Sequence, residues 1–294
     1  MLTFQDDFIT KTNNWDCHLF IEHERSKNMT DIYEKVSDYF LELASLQRLN
    51  ILFKLLERNR KRIEPLAKEL GATKQEVHRN LVRLEESGLI TKEKDGKYSL
   101  TTFGKTMCVE IPSILFLSHH NEYFQEHDFG DIPLKFVMRA GQLATGSHIK
   151  GITKTLQKWK SVYNNANEYI YEILSEIPED LFDPILQKIK NGVKFEYIVS
   201  ESAIVPEGRQ IRLKKSGFNQ LLDNGSIERK MQKSVQVVLV LNEKEACIFF
   251  PKNGEADLTE MFYSDNDVFH EWCLDYFRYC WYNSGEFHEH KLKE

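Results

Sequence analysis

Thr73-Lys74-Gln75-Glu76-Val77-His78-Arg79-Asn80-Leu81-Val82-Arg83-Leu84, closed by Ser87-Gly88-Leu89-Ile90, is the stretch whose reading decides the fold. Thr73 and Glu76 form a T-x-x-E capping box, in which hydroxyl and carboxylate each satisfy an orphan N–H of a first helical turn. Val77, Leu81 and Leu84 recur at i, i+4 and i+7, the spacing of one buried helix face. Lys74, Gln75, His78, Arg79 and Arg83 are left on the outer face, where all five can donate to phosphates and base edges. Gly88 ends the helix and Leu89-Ile90 starts a strand.

Upstream, Leu43, Leu46, Leu49, Phe53 and Leu56 predict a preceding helix with those residues on its buried stripe. A short helix over about Glu64–Leu70 follows, with Pro65 tolerated in the first turn and Gly71 just past the end. Downstream, Leu89 to Leu100 reads as a hairpin around Lys94-Asp95-Gly96-Lys97, since Asp-Gly is a strong turn signal. Lys92, Lys94 and Lys97 make this wing basic. Three helices and a basic hairpin predict a winged helix-turn-helix over residues 38–106.

Gln47 to Lys105 carries fourteen Lys and Arg against eight Asp and Glu, a net +6. Against the chain's −6, this leaves −12 on the rest. A basic island on an acidic protein is the electrostatic footprint of a module that binds double-stranded DNA. Thr73, at the helix N-terminus, is a further candidate for a phosphate contact.

The remaining chain reads as three parts. Residues 1–37 lack a sustained period and are expected to form a mobile or weakly docked tail, with a helix starting near Thr30 or Asp31. Residues 107–148 are expected to be linker and dimerisation helices, with Pro112 kinking or splitting the helix that follows the wing. Residues 149–285 alternate helices and strands, which predicts an α/β domain. There Tyr169–Leu174 is strand or helix, Arg209–Leu222 one basic amphipathic helix, Ser226–Met231 an edge strand and Val235–Leu241 a strand buried on both faces. The last helix, about Asp267–Tyr282, is dense in aromatics. The fold class is α+β to α/β: an N-terminal winged helix-turn-helix plus a C-terminal α/β sensor-like domain, with a phospholipase-D-like sheet as an alternative description.

No stretch reaches the roughly 18–20 apolar residues of a membrane span, and the first thirty residues lack a signal peptide's apolar region. The expectation is a cytoplasmic protein with no membrane partner. Five scattered cysteines without a C-x-x-C motif point to reduced thiols. Cys273 and Cys280 lie seven apart on one helix, about 10 Å along its axis, too far to bridge. His119, His120, His127 and Asp128 have the residue types of a metal site, but with no second ligand pair nearby they read as a surface or interdomain contact. No cofactor or metal is expected.

Four motifs resemble a known group, archaeal transcriptional regulators with an ArsR-like winged helix-turn-helix and a FilR-type methanogenesis regulatory domain. They are the wing exit Tyr98-Ser99-Leu100-Thr101-Thr102-Phe103-Gly104; His120-x-x-Tyr123-Phe124-x-x-His127-Asp128 followed by Ile132-Pro133; Gly192-Val193-Lys194; and Phe269-x-x-Trp272-Cys273-x-x-Tyr276-Phe277-x-x-Cys280-Trp281. The resemblance spans about residues 40–285 and implies an archaeal sequence-specific regulator, without naming a ligand. The C-terminal region also looks like the phospholipase-D-like sensor fold of archaeal sugar-responsive regulators. Enzymes of that fold need His-x-Lys followed by Asp. His148-Ile149-Lys150 supplies the first part, but Thr155 stands where Asp is required, so no catalysis is expected.

The resulting expectation is a dimeric, sequence-specific transcription regulator with an effector-sensing or dimerisation domain. Arg209, Arg212 and Lys215 are candidates for an anionic small-molecule effector. The alternatives are a protein-interaction scaffold that docks through the winged unit, and a phosphodiesterase-like hydrolase.

Overall fold

The computed structural model describes residues 29–176, 179–203, 205–206 and 208–292. They divide into two compact units, one ending at Ile114 and one beginning at Leu115. Most of the tail expected over 1–37 lies outside the described residues. From Met29 onward that segment is helical.

The first unit contains α1 (Met29–Leu43), α2 (Leu46–Arg58), α3 (Ile63–Leu70), α4 (Lys74–Glu86), β1 (Ile90–Lys92) and β2 (Tyr98–Leu100). Ser45 caps α2 through its hydroxyl, which starts that helix at Leu46 rather than Leu43. Its buried stripe is Ile51, Leu52 and Leu55, whereas Leu46 is 77% exposed. The expected period is present but its phase is different. The helix is apolar on two adjacent faces, and periodicity alone does not choose between them. Arg48 lies on the buried face because its guanidinium donates to the carbonyls of Leu41 (2.8 Å) and Glu42 (2.7 Å).

Gly71 closes α3 in the left-handed region at φ 58°, its N–H reaching back to Ala67 and Lys68. The core joins Leu66 of α3, Val77, Leu81 and Leu84 of α4, and Leu89, Ile90, Tyr98 and Leu100 of the hairpin. β1 and β2 pair antiparallel with Ile90 opposite Leu100. Lys61 adds a third, one-residue rung, exchanging both backbone hydrogen bonds with Tyr98 at 3.0 and 2.8 Å. A two-stranded ribbon is marginal by itself; this rung and the shared core hold it.

α5 (Thr102–His119) follows the wing and is helical straight through Pro112. The expected split comes eight residues later, at His120, whose φ −108° and ψ 26° separate α5 from α6 (Asn121–Phe124).

In the second unit come α7 (Leu134–Val137), β3 (Ser147–Lys150), α8 (Ile152–Asn165), β4 (Tyr169–Leu174), α9 (Phe182–Lys190), β5 (Lys194–Ser200), α10 (Arg209–Ser216), α11 (Phe218–Asp223) and β6 (Ile227–Gln232). They are followed by β7 (Val238–Asn242), β8 (Ala246–Phe249), β9 (Pro251–Lys252), β10 (Glu255–Ala256), β11 (Glu260–Ser264), α12 (Asp267–Asn283) and β12 (Gly285–Glu286). Eight strands form one mixed sheet in the order β12-β6-β5-β4-β7-β8-β11-β3. β4, β5 and β6 are mutually parallel, joined by helical crossovers, and the other pairings are antiparallel.

Helices cover both faces, which is why β7 and β8 are buried at every position. On one face Trp159 of α8 packs on Phe249; on the other Phe277 of α12 stacks on Tyr171 at 4.6 Å. Tyr169–Leu174 is thus a strand. The single basic helix expected over Arg209–Leu222 is two, broken at Gly217, whose φ of 80° no helix continues through. The strand at Ile227–Gln232 is not the sheet edge, because β12 pairs outside it. The aromatic α12 is core: Phe269, Trp272, Cys273, Tyr276, Phe277 and Cys280 are buried.

Candidate nucleic-acid interface

The N-terminus of α4 is built by the capping box. The Thr73 hydroxyl accepts from Glu76 N–H at 3.2 Å, and the Glu76 carboxylate accepts from Thr73 N–H at 2.9 Å and from its hydroxyl at 2.8 Å. These bonds from Thr73 hold the Glu76 carboxyl below the usual carboxylate range. Thr73 is exposed, yet both its polar groups are already committed. An approaching phosphate would also meet a carboxylate there, so the site is less open than the sequence alone suggests.

Helix period places Gln75, His78 and Arg79 together at i, i+3 and i+4, all exposed except on the core side taken by Val77 and Leu81. Lys74 is exposed and paired with Glu64 of α3. Arg83 is engaged with Glu42 of α1, its Nε 3.1 Å from Oε2. Glu42 also pairs with Arg48 at 3.2 Å, so one carboxylate ties α1, α2 and α4 together. Arg83 therefore stands as a brace of the helix rather than as a free donor. Asn80, turned inward, donates to Gln47 at 2.5 Å.

On the wing, the turn is closed by Glu93 N–H to Lys97 carbonyl at 2.7 Å, with Gly96 at φ 79°. Lys92 and Lys94 are exposed. Lys97 is half-buried and lies 2.7 Å from Asp95, which it holds below the usual carboxylate range. Two arginines that sequence reasoning missed join this surface. Arg62 donates to the Asp95 carbonyl at 3.3 Å, and Arg60 pairs with Glu93 at 3.0 Å. Arg60-Lys61-Arg62 are all basic and carry little signal; it is the extended rung that turns Lys61 inward and its two neighbours outward together.

In the second unit, the candidates for an effector separate. Arg209 is buried and paired with Glu289, Arg212 is held by Glu179 (3.0 Å) and Asp183 (3.1 Å), and Lys215 is exposed. Arg209 and Arg212 line one cleft, and Lys215 is not part of it. Among the described residues no group of three His, Cys, Asp or Glu is placed to hold a metal ion. His127 instead stacks on Tyr123 at 3.8 Å with Nε2 3.0 Å from Asp257, and the Asp128 side chain accepts from Gly130 N–H at 2.7 Å. His148 and Lys150 both face Glu260, at 2.8 and 3.5 Å. Thr155 is fully buried and its hydroxyl lies 2.8 and 2.9 Å from the carbonyls of Ile152 and Leu258. Cys108, Cys247, Cys273 and Cys280 are free and buried, while Cys17 lies outside the described residues. No helix of the described residues is long and apolar enough to cross a membrane.

Residues 37–115 match the family model described as the HVO_A0261 N-terminal domain. No curated protein matches the chain. Among solved structures, the chain is similar to TrmBL2, an archaeal chromatin protein whose structure shows a novel mode of DNA binding, at 13% identity and a TM-score of 0.38, covering 83% of this chain and 94% of that one. It is similar to NucT from Helicobacter pylori at 12% identity and a TM-score of 0.38, covering 48% of this chain and 98% of that one. It is also similar to Nuc, a phospholipase D family member from Salmonella typhimurium, at 13% identity and a TM-score of 0.37, covering 49% of this chain and 99% of that one.

Proposed function

We propose that this protein is a sequence-specific, DNA-binding transcription regulator of archaeal type, with an ArsR-like winged unit and a FilR-type second domain. One observation carries the reading. Gln75, His78 and Arg79 stand exposed on one face of a capped helix, opposite its packed face, beside a basic wing. In this reading α4 enters the major groove, where Gln75 and Arg79 have the geometry for bidentate base contacts. Lys92, Lys94 and Lys97, with Lys74 released from its solvent-exposed partner, grip phosphates. Thr73 and Arg83 hold the helix in place.

A homodimer belongs to the same reading, since a single small unit rarely makes enough contact for specificity. Val36 and Phe40 of α1 and Val109 and Ile114 of α5 are exposed apolar side chains suited to such a contact. The second unit is read as the effector-sensing part. It is read as non-catalytic because Thr155 is sealed in the core and His148 and Lys150 both face Glu260.

The test is fluorescence anisotropy on a duplex from upstream of the protein's own coding region, against scrambled DNA, over a salt series. Tighter binding to the upstream duplex with a steep salt dependence is expected. Arg79→Ala is expected to cost about 1–3 kcal/mol on the specific duplex only. Absence of binding to either duplex at low salt would leave the winged unit as a protein-docking module.

A further inference from the structure

Beneath α9, α10 and α11, on one face of the parallel strands, lies a cavity of about 50 Å³ lined by Leu174, Phe182, Ile185, Phe195, Leu213 and Phe218. Four polar side chains also reach it: Tyr163, Glu172, Tyr197 and Arg209. Phe182, Arg209 and Leu213 are shared with an adjoining cleft of about 90 Å³. A single water needs only about 10–15 Å³, so the cavity by itself takes a molecule of several heavy atoms.

Strand register sets the polar row. Glu172 of β4 lies opposite Tyr197 of β5, and Tyr197 opposite Arg229 of β6. At the deep end, Trp159 Nε1 donates to Glu172 Oε1 at 2.9 Å and the Tyr163 hydroxyl donates to the same oxygen; neither reaches Oε2. At the other end, Arg209, itself buried, and Arg229 share a single carboxylate, Glu289. Two guanidinium groups on one carboxylate leave a net positive charge at this end, where Arg209 lines the cavity and Arg229 does not. Neighbouring Arg212 is neutralised by Glu179 and Asp183 and offers no competing site.

We propose that this cavity binds a small carboxylic acid with an apolar body, its carboxylate on Arg209 and its aliphatic chain among the aromatic side chains facing Glu172. An anion on Arg209 offsets that charge in the planar, two-pronged manner that suits a guanidinium. An apolar chain fits the lining, which is the usual composition of a ligand pocket. The inference goes with the effector-sensing part of the functional reading, but its test involves no DNA, so the two fail separately.

The site also predicts a pH signature. The groups around Glu172 are Tyr163 and Trp159 from α8, which bond it, and Tyr197 of β5 opposite it in register; Arg209 of α10 lines the same cavity, and Cys247 of β8 lies beside Tyr163. Burial pushes the Glu172 carboxyl up to about 7. A bound carboxylate favours its protonated form further. Binding then carries a proton, and affinity falls as pH rises past 7, about tenfold between pH 6 and pH 8.

The experiment is isothermal titration of the full chain with 3-methylbutanoate and, separately, with butylamine at pH 6 and pH 8. Saturable binding of the acid at pH 6 and about tenfold weaker binding at pH 8 are expected. Arg209→Gln should weaken it at least tenfold. Glu172→Gln, a nearly isosteric change, should remove the pH dependence while keeping the acid bound, so the outcome does not hinge on how well the Arg209 variant folds. Butylamine binding that tightens with pH would overturn the assignment. So would the absence of saturable acid binding at pH 6, or a pH dependence of acid binding left unchanged by the Glu172 substitution.

Discussion

Replacing Gly104 with alanine loads one contact that the winged unit cannot relax cheaply. A Cβ on Gly104 would sit 2.0 Å from the Leu89 carbonyl oxygen, 2.9 Å from its carbon and 3.3 Å from Leu100 Cδ2. Carbon and oxygen in close contact stay about 3.3 Å apart, so the first turn of α5 must withdraw from the start of β1 by more than 1 Å. That movement pulls on Thr101, whose N–H donates to Leu89 at 3.1 Å and whose hydroxyl donates to Gly88 at 2.7 Å while accepting from Gly104 N–H at 3.0 Å. Overpacking costs about 1–3 kcal/mol, and each hydrogen bond lost adds about 1 kcal/mol. Alanine's better helix propensity returns about 1 kcal/mol. The net loss is about 3 kcal/mol, a large share of the roughly 5–15 kcal/mol that holds a domain folded. Native-state hydrogen exchange at the core amides of Leu55 and Leu81 reads it directly for this unit. Gly96→Ala is the control: its φ of 79° strains an alanine, but nothing lies within 4 Å of the new Cβ, so about 1 kcal/mol is expected. If Gly104→Ala loses no more than Gly96→Ala, the steric argument is wrong.

Thr73→Ala removes the cap of α4 and should cost about 1 kcal/mol by the same exchange measurement, with a larger loss of protection in the first turn than at Leu84. Lys94→Ala and Arg62→Ala should each weaken all duplexes alike and flatten the log–log salt plot by about 0.9; a base-specific effect of either would reassign the wing. Glu172 makes the second unit's stability depend on pH with a definite sign. Its folded pKa of about 7 lies above the ordinary glutamate value of 4.5, so between those limits the folded state holds the extra proton. Stability therefore falls as pH rises from 4.5 to 7, by up to about 3 kcal/mol. Glu172→Gln should abolish that slope in urea titrations at pH 5 and pH 7.5, and an unchanged slope would show that the carboxyl is not what titrates.

Residues that announce their own local geometry were readable in advance. The capping box, Gly71 and the Asp95-Gly96 turn each fix backbone conformation within a few positions, and the winged unit follows from them. α2 was readable in period but not in phase, because Leu46, Leu49, Ile51, Leu52, Phe53 and Leu55 offer two apolar stripes. Only packing against α4 and Arg48's buried hydrogen bonds choose between them. Arg60 and Arg62 were overlooked because a one-residue rung leaves almost no pattern. Gly217 was visible, yet one glycine inside a basic amphipathic run is ambiguous until its φ is known. The cavity was illegible for a different reason. Glu172, between Tyr171 and Ile173, has the look of a solvent-facing strand residue, and only two sheet faces both covered by helices put it inside.

The pairing of β3 with β11 has a consequence for synthesis. Ser147–Lys150 finds its partner only when Glu260–Ser264 exists, roughly 110 residues later, which at about 5–20 residues per second is some 5–20 s of translation. Through that interval the first unit, whose contacts are all contiguous in the chain, can already be folded at the ribosome. The mixed sheet meanwhile waits with β3 unpaired, so slowed elongation or early termination downstream of β8 should yield an intact winged unit attached to an aggregation-prone partial sheet.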